Sequence, residues 1–275
     1  MSGNVLIQGK RLSDRTLVEE VKTTNQGLLI NQPFDFAVAS GDIPGWRTFR
    51  KFAMNPDIDA GTEQIWPLGT IQVLPTTAAV ASVTSDDAAD DVGGTGALVI
   101  TIQGLDANYV EVEEDVILTG AIAATTTQTF LRIYRSFVTL VGTGGVNAGN
   151  ITISVGVNPQ AYIELNEGQT HISQYTVPAG HTLILPNLVA TTGRISAFDL
   201  SIQWQVRFYN EASNNNYESW RSLLDVFPYE GQVALVGTVQ TVVEKSDIRV
   251  IAVSTGGNLN CHVDYSGFLV DNTVL

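Results

Sequence analysis

The clearest pattern of hydrophobic and polar positions is a two-residue alternation that runs from Phe198 to Tyr209. Successive side chains of a β-strand point to opposite faces, so apolar residues at every second position indicate one buried face. The alternation therefore predicts a long central strand. Its apolar positions are Phe198, Leu200, Ile202, Trp204, Val206 and Phe208.

Shorter segments with the same period are separated by turns rich in Gly, Asn and Asp. Leu98–Ile102 and Val110–Val112 alternate on either side of the loop Gly104–Asn108, which predicts a β-hairpin. Strands at this density, separated by polar turns, predict an all-β protein built as a sandwich or a barrel, and we favour sandwiches. The other predicted strands include Phe130–Val141, Ile151–Val155, His181–Leu185, Val233–Val243, Asp247–Ser254 and Leu259–Val270.

The first seventy residues show weak periodicity. Asp14–Lys22 is predicted as a short helix with Ser13 as its N-cap. Prolines and glycines then divide the segment into extended pieces, and a chain so interrupted rarely packs by itself. We therefore predict an extended N-terminal arm over residues 1–70, a β-sandwich over 71–157 and a jelly-roll-like sandwich over 158–275.

Composition excludes several classes of protein. Hydrophobic residues make up 44% of the 275-residue chain, which argues against wholesale disorder. Cys261 is the single cysteine, so an intrachain disulfide and a thiol-based metal site are excluded, and we expect folding in a reducing cytoplasm. No apolar signal region opens the sequence and no run of about 18 apolar residues occurs, so we expect neither secretion nor a membrane span.

Charge is distributed unevenly. The eighty residues Phe52–Leu131 contain twelve carboxylates and no lysine or arginine, whereas the first fifty-one residues hold seven cations and five acids. The net charge of −14 argues against a protein that wraps nucleic acid or lies on an anionic membrane. The acidic loop 85–96 could bind calcium, but a hydrated loop or a surface facing a basic partner is the favoured interpretation.

Residues that could carry chemistry do not form a recognisable site. His171, His181 and His262 lack the spacing of metal-ligand pairs, and Cys261 and His262 point to opposite faces if they lie in a strand. The glycine-rich loops 93–96 and 142–145 lack the lysine of a phosphate-binding loop. Adjacent Glu113 and Glu114 diverge in a strand, so a glycosidase pair would need a partner from elsewhere. We predict no catalytic residue, no metal and no cofactor.

A basic and aromatic segment is the strongest candidate for an interaction site. It mixes three cations with three aromatic residues, which suits single-stranded nucleic acid and also suits a protein interface. With a net charge of −14, the protein interface is favoured. The predicted assembly residues are Trp46, Arg47, Phe49, Arg50, Lys51, Phe52 and Trp66.

Eight segments carry a resemblance to a known family. They are Asp42–Phe52, Asn55–Asp59, Glu63–Trp66, Val99–Asn108, Thr129–Arg135, Asn147–Ile153, Tyr175–Gly180 and Gly267–Asn272. These segments resemble virion structural proteins of tailed bacteriophages, many of them from aquatic viruses, and the resemblance spans about residues 42–272. It implies a structural part of a virion, which agrees with a disulfide-free acidic β protein, and the family brings no catalytic residues to carry over.

The leading hypothesis is a non-enzymatic virion protein attached to the phage head or neck as a decoration or connector component. Its expected partners are other virion proteins (major capsid, portal, neck or tail proteins) and further copies of itself, with a trimer favoured, and neither membrane nor nucleic acid. The alternative is a tail or fibre protein that recognises host glycan through Tyr217, Trp220 and Asn214–Asn216. Enzymatic cleavage of surface polysaccharide is the least favoured hypothesis.

Overall fold

The structure, a computed structural model, describes residues 23–24, 27–28, 33–193, 199–210, 217–228, 234–236 and 239–275. Strands make up 56% and helix 3%, which confirms the predicted all-β class. The chain divides into two units, residues 1–44 and residues 45–275. No helix in the described ranges has the length and apolar character needed to cross a membrane.

The first unit contains little regular structure in its described residues. Strands β1 (Thr23–Thr24) and β2 (Gly27–Leu28) pair antiparallel, and helix α1 spans Phe34–Ala39. The carbonyl of Pro33 accepts the first two helical N–H bonds. The predicted helix Asp14–Lys22 and its N-cap Ser13 lie outside the described residues.

The second unit consists of strands. In chain order they are β3 (Trp46–Ile58), β4 (Gly61–Gln64), β5 (Ala79–Ser85), β6 (Ala97–Leu105), β7 (Glu111–Ile117), β8 (Ala124–Phe130), β9 (Arg132–Val141), β10 (Ile151–Val155), β11 (Asn158–Ile163), β12 (Tyr175–Thr176), β13 (His181–Thr192), β14 (Leu200–Arg207), β15 (Arg221–Val226), β16 (Ala234–Val236), β17 (Gln240–Val242), β18 (Asp247–Ser254) and β19 (Leu259–Asp271).

Two of the sheets form a jelly roll. One sheet has the order β3-β19-β13, with β16 and β17 both on the far edge of β13. The other has the order β18-β14-β15, with β4 and β12 both on the free edge of β18. We count β4 with β12 as one interrupted strand and β16 with β17 as another, which leaves eight strands. In chain order, strands 1 to 8 are then β3, β4/β12, β13, β14, β15, β16/β17, β18 and β19. In these numbers the sheet orders are 1-8-3-6 and 2-7-4-5. This connectivity is that of an eight-stranded jelly roll with two Greek keys.

A second sandwich is inserted into the second strand of the jelly roll. After β4 the chain leaves β18, builds strands β5 to β11, and returns to β18 at β12. In the insert, the sheet β11-β10-β5-β8 packs on the sheet β7-β6-β9. Its buried core includes Val83, Ile100, Ile102, Phe130, Ile133, Ile151, Ile153 and Ile163.

The alternation seen in the sequence explains the jelly-roll core. Leu200, Ile202, Trp204 and Val206 of β14 are all buried, which confirms the predicted central strand over its described part. The predicted hairpin is confirmed as β6 and β7, which pair from Val99 with Ile117 to Leu105 with Glu111. The interior of the roll is apolar and includes Ile58, Val177, Leu183, Leu188, Ile248, Val250, Cys261 and Tyr265.

Two predicted boundaries are corrected. The arm prediction is wrong for Trp46–Gln64, because β3 pairs with β19 and β4 pairs with β18. The sandwich boundary predicted at residue 157 is also wrong, since β11 pairs with β10 and belongs to the insert. The jelly roll is therefore discontinuous in sequence, with its first strand more than 200 positions before the strand it pairs with.

Candidate assembly surface on the first jelly-roll strand

Strand β3 carries six of the seven predicted assembly residues and distributes them over two faces. Side chains alternate along a strand, so Trp46, Arg50 and Phe52 share one face. The other three, Arg47, Phe49 and Lys51, share the opposite face. On the first face, the Trp46 ring lies 5.9 Å from that of Phe268, and the Phe52 ring lies 5.5 Å from that of His171. Trp46, Arg50 and Phe52, the outer trio, form the part of the segment that faces away from the jelly-roll core.

The second face of β3 is directed inside the molecule. The Phe49 ring lies 4.6 Å from that of Tyr175, and its partly buried side chain packs on the jelly-roll core. Lys51 is buried and donates a hydrogen bond to the carbonyl oxygen of Tyr134, which belongs to the inserted sandwich. Arg47 donates to Glu111 of the insert at 2.9 Å. Arg47, Phe49 and Lys51 therefore contribute to the junction between the two sandwiches.

A cleft of about 360 Å³ opens at this junction, and we call it the cationic cleft. Burial of the Lys51 ammonium, together with the nearby charge of Arg135, lowers the pKa of this lysine to about 7. Arg47 and Arg50 are more exposed and pair with carboxylates at 2.9 and 2.6 Å. The lining residues are Arg47, Thr48, Phe49, Arg50, Lys51, Gln103, Glu111, Tyr134, Arg135, Tyr175 and Leu269.

Trp66 does not belong to this surface. Its side chain is 1% exposed, and its indole Nε1 donates a hydrogen bond to the carbonyl oxygen of Thr70 at 2.6 Å. A tryptophan packed in this way stabilises the chain that contains it and has no surface to offer a partner. The inclusion of Trp66 among the assembly residues is therefore wrong.

A buried ion pair connects the sandwiches behind the cleft. Arg132 of β9 and Asp247 of β18 are 2% and 0% exposed at their side chains, and the carboxylate accepts from the guanidinium at 3.0 and 3.1 Å. Arg207 and Thr176 also donate to Asp247. Burial alone would raise the pKa of Asp247, but the charges of Arg132 and Arg207 hold it below its usual value.

The remaining donors of Arg132 are also satisfied. Its Nη1 donates to the carbonyl oxygens of Pro75 and Leu131, and its Nη2 donates to the hydroxyl of Tyr217 at 2.9 Å. With the two bonds to Asp247, all five guanidinium donors have acceptors. Sequence analysis missed this pair, although Arg132 lies in the predicted strand Phe130–Val141 and in one of the family-like segments.

The acidic loop 85–96 is a folded turn that uses its carboxylates internally. Asp90 is 0% exposed and accepts hydrogen bonds from Ser85 Oγ and from the backbone N–H groups of Ala97, Ala148 and Gly149. Asp86 accepts both the backbone and side-chain N–H groups of Asn150. Groups of three or more candidate metal ligands do not occur in the described residues, this loop included.

Replacing Asp90 with asparagine should lower the free energy of unfolding by about 2 kcal/mol. The substitution keeps the shape but puts an NH₂ group where an oxygen now faces buried N–H donors, and an unsatisfied buried donor costs about 1–3 kcal/mol. Urea denaturation followed by circular dichroism measures the change. Asp87→Asn is the matched control, because exposed Asp87 accepts a single hydrogen bond within the described ranges, from Ala89 N–H. Equal losses in both variants would contradict the structural role given to Asp90.

Glu113, Glu114 and the glycine-rich loop 93–96, which were considered as candidates for chemistry, also have structural roles. Glu114 accepts from Thr127 and Gln128 of strand β8, while Glu113 accepts from Gln103, so the two carboxylates do not face one another. The Glu114 contacts link the two sheets of the insert, whereas the Glu113 contact joins the neighbouring strands β6 and β7. In the loop 93–96, a Cβ added at Gly96 would meet a carboxylate oxygen of Asp90 at 2.2 Å, so close packing requires glycine there.

Two of the three histidines converge. His171 and His262 line a pocket of about 400 Å³ on the outer face of β3, β19 and β13, together with Glu167 and Asp264. His171 Nδ1 lies 3.8 Å from Glu167, and burial lowers the pKa of this imidazole. Cys261 lies on the opposite face in the core, where burial raises the pKa of its thiol to about 12. The prediction that Cys261 and His262 cannot act together is confirmed.

The two aromatic residues of the glycan hypothesis pack on arginines of their own chain. The Arg207 guanidinium lies 4.2 Å from the centre of the Tyr217 ring and 5.1 Å from that of Trp220, and Arg249 lies 4.0 Å from Trp220. These distances are those of cation–π contacts. Asn214–Asn216 lie outside the described residues.

Comparisons with known proteins give few relatives. No family model and no curated protein matches the sequence. Among solved structures, the chain is similar to one from infectious bursal disease virus Gx strain, with 11% identity, coverage of 82% of this chain and 72% of that chain, and a TM-score of 0.22. A chain of the infectious bursal disease virus VP2 subviral particle gives 9% identity, 84% and 73% coverage and a TM-score of 0.24. Such low TM-scores leave function to be argued from the topology and surfaces of this chain.

Proposed function

We propose that the chain is a non-enzymatic structural component of a tailed-bacteriophage virion, attached to the head or neck as a decoration or connector protein. The observation that carries the proposal is an eight-stranded jelly roll with a second sandwich inserted into one of its strands. Jelly rolls are typical of viral capsid domains, and they also occur in lectins and cupins. The segments that resemble phage virion proteins lie in both sandwiches.

The interior and the surface of the roll favour the virion interpretation over the other two. Cupin chemistry would need metal ligands inside the roll, whereas the interior here is filled by apolar side chains. Sugar stacking would need available aromatic faces, whereas Tyr217 and Trp220 pack on Arg207 and Arg249. Such extensive packing within the chain is expected of a structural virion component, which provides shape and binds other virion proteins.

Two regions are proposed to contact other virion proteins. One is the first unit, residues 1–44, which takes the role first assigned to an arm over 1–70. The other is the outer trio of β3, in which the Arg50 side chain is 72% exposed. Aromatic residues with arginine are common anchors of protein interfaces. The partners are the major capsid, portal, neck or tail proteins and further copies of the chain, with a trimer favoured.

Deleting Met1–Pro44 should leave a folded protein that no longer joins virions. The cut precedes β3, whereas a cut at residue 51 would remove half of a strand paired with β19. Circular dichroism and urea denaturation test folding, and mass spectrometry of purified particles measures copies per virion. The control is a set of particles made with full-length protein. Normal incorporation of the truncated protein would reject the attachment role of residues 1–44, and a particle without the full-length chain would reject the virion assignment itself.

A further inference from the structure

The cationic cleft concentrates positive charge on an acidic protein. Four of the chain's fourteen cations line a space of about 360 Å³, together with one carboxylate, Glu111. The other ten cations are spread over the rest of the chain, which holds the remaining 27 of 28 acids. Because like charges repel, such a cluster is unfavourable unless an anion or a carboxylate compensates it. The cleft is therefore a place where a negative group would be stabilised.

Among the residues that the structure describes, two of the four cations have a carboxylate partner and two do not. Arg47 pairs with Glu111, and Arg50 pairs with Asp264. The ion pairs formed among the described residues include neither Lys51 nor Arg135. Arg135 instead makes a cation–π contact, with its guanidinium carbon 5.1 Å from the centre of the Phe137 ring.

The walls of the cleft suit a single small anion. Phe49, Tyr134 and Tyr175 supply aromatic surface that lowers the local dielectric constant, so a charge there is screened less than in open water. Within the described residues, Lys51 donates one hydrogen bond, to the Tyr134 carbonyl oxygen, and a protonated ammonium has three donors. Gln103 adds an amide to the lining, although its NH₂ group already donates to Glu113.

We propose that the cationic cleft is a binding site for one oxyanion group, a carboxylate, phosphate or sulfate, held between Lys51 and Arg135 with Arg47 and Arg50 at the rim. Charge-assisted hydrogen bonds from ammonium and guanidinium groups are the interactions that bind such anions in proteins. The group comes from free inorganic anion or from an acidic side chain of a partner protein. The site does not depend on the virion assignment.

Nearby carboxylates limit what the cleft accepts. Glu111 lines it, while Glu113 and Asp264 lie beside it on β7 and β19. Their repulsion opposes a polyanion that would extend past the rim, so nucleic acid fits the charge pattern poorly. One oxyanion reaching Lys51 would add an opposite charge next to the buried amine and favour its protonated form. Binding should therefore be coupled to proton uptake by Lys51.

Calorimetric titration of the full-length protein tests the site with two probes, inorganic sulfate and an acetylated, C-terminally amidated Gly-Glu-Gly peptide, which carries a single carboxylate. Sulfate keeps a constant charge between pH 6 and 9, so any change of affinity in that range reports on the protein. We expect binding that weakens as pH rises through about 7, the pKa of Lys51. If sulfate binds more tightly than the peptide, the oxyanion group comes from a free inorganic anion. If the peptide binds more tightly, the group comes from an acidic side chain of a partner protein.

Arg135→Gln and Lys51→Met should each weaken binding roughly tenfold or more, since each removes a charge-assisted hydrogen bond to the anion. Lys51→Met should also abolish the pH dependence. Arg221→Gln is the matched control, because it removes one positive charge at a guanidinium with a 59% exposed side chain outside the cleft. Absence of binding of both probes to the wild-type protein would reject the site, and so would an equal loss of affinity in the control.

Discussion

Replacing Asp247 with asparagine should lower the free energy of unfolding by about 3–5 kcal/mol at pH 7. Removing one partner of a buried ion pair leaves the other charge uncompensated, and that is the usual cost. Here the charge left without its carboxylate is that of Arg132, whose side chain is 2% exposed and is held by five hydrogen bonds. Because Arg132 belongs to the inserted sandwich and Asp247 to the jelly roll, the loss would fall on the junction. Urea denaturation at pH 7 measures it.

Two further variants separate charge from shape. Asp225→Asn makes the same chemical change at an exposed carboxylate of β15 that accepts from Ser201 and Gln203, and it should cost less than about 1 kcal/mol. The double variant Arg132→Met, Asp247→Leu should recover much of the loss, since apolar side chains of similar volume often replace a buried pair without penalty. If Asp247→Asn and Asp225→Asn behave alike, the ion pair does not hold the junction together.

The pH dependence of this contribution has a defined sign. The pKa of Asp247 is lower in the folded protein than in the unfolded chain. The stabilisation is therefore present above the unfolded value of about 3.9 and is lost as pH falls below it through the folded pKa. The difference in stability between the wild-type protein and Asp247→Asn should accordingly shrink below about pH 4.

Local elements of the fold could be predicted from the sequence because their signals are local. The alternation over Leu200–Arg207 and the Gly104–Asn108 turn each specify a strand or hairpin without reference to distant residues. The pairing of β3 with β19 could not be predicted, since period-two alternation reveals a strand but not its partner. A jelly roll that is discontinuous in sequence therefore cannot be predicted when domains are assigned as continuous ranges.

The misassigned arm has a physical explanation in β3. Gly45 and Pro56 flank the basic and aromatic residues, and both usually interrupt regular structure. In the fold, Gly45 precedes the strand, and Pro56 lies where the pairing between β3 and β19 shifts register. Irregular pairing tolerates a residue that has no N–H to donate. Gly45 therefore marks the start of strand β3, and Pro56 marks an irregularity in its pairing with β19.

The charge asymmetry of the sequence also has a different origin from the one expected. Three of the seven cations in the first fifty-one residues are Arg47, Arg50 and Lys51 of β3. Without them, residues 1–44 contain four cations and five acids, so this unit is not basic. The positive charge belongs to a cleft of the folded body, and Arg135 reaches it from a strand about 85 positions later in the chain. Only the fold could bring these residues together.

Replacing Lys51 with methionine should raise the free energy of unfolding at pH 7 by about 2–4 kcal/mol. The pKa of this lysine falls from 10.5 to about 7 on folding, so keeping the amine buried disfavours its charged form. A difference of that size corresponds to roughly 5 kcal/mol at most, from which the lost hydrogen bond to Tyr134 removes about 1 kcal/mol. Methionine has a similar volume and brings no charge into the cleft.

The effect must depend on pH in one direction. Between about pH 7 and 10.5 the unfolded chain binds a proton at Lys51 that the folded protein does not, so wild-type stability rises with pH there by up to about 1.4 kcal/mol per pH unit relative to Lys51→Met. The advantage of methionine is therefore largest at or below pH 7 and disappears above pH 10.5. A constant advantage across this range would show that Lys51 is not held neutral by burial.

A lysine that costs this much stability is consistent with a site kept for binding, because selection tolerates unfavourable groups where they serve a function. Sulfate supplies the test. If the cleft binds an oxyanion, sulfate should stabilise the wild-type protein more than Lys51→Met at pH 7, beyond its general salting-out effect. Lys245→Met, which makes the same change at a lysine beside Tyr209, should keep the wild-type response to sulfate. An equal sulfate response in all three proteins would mean that the buried amine of Lys51 has no anion to bind.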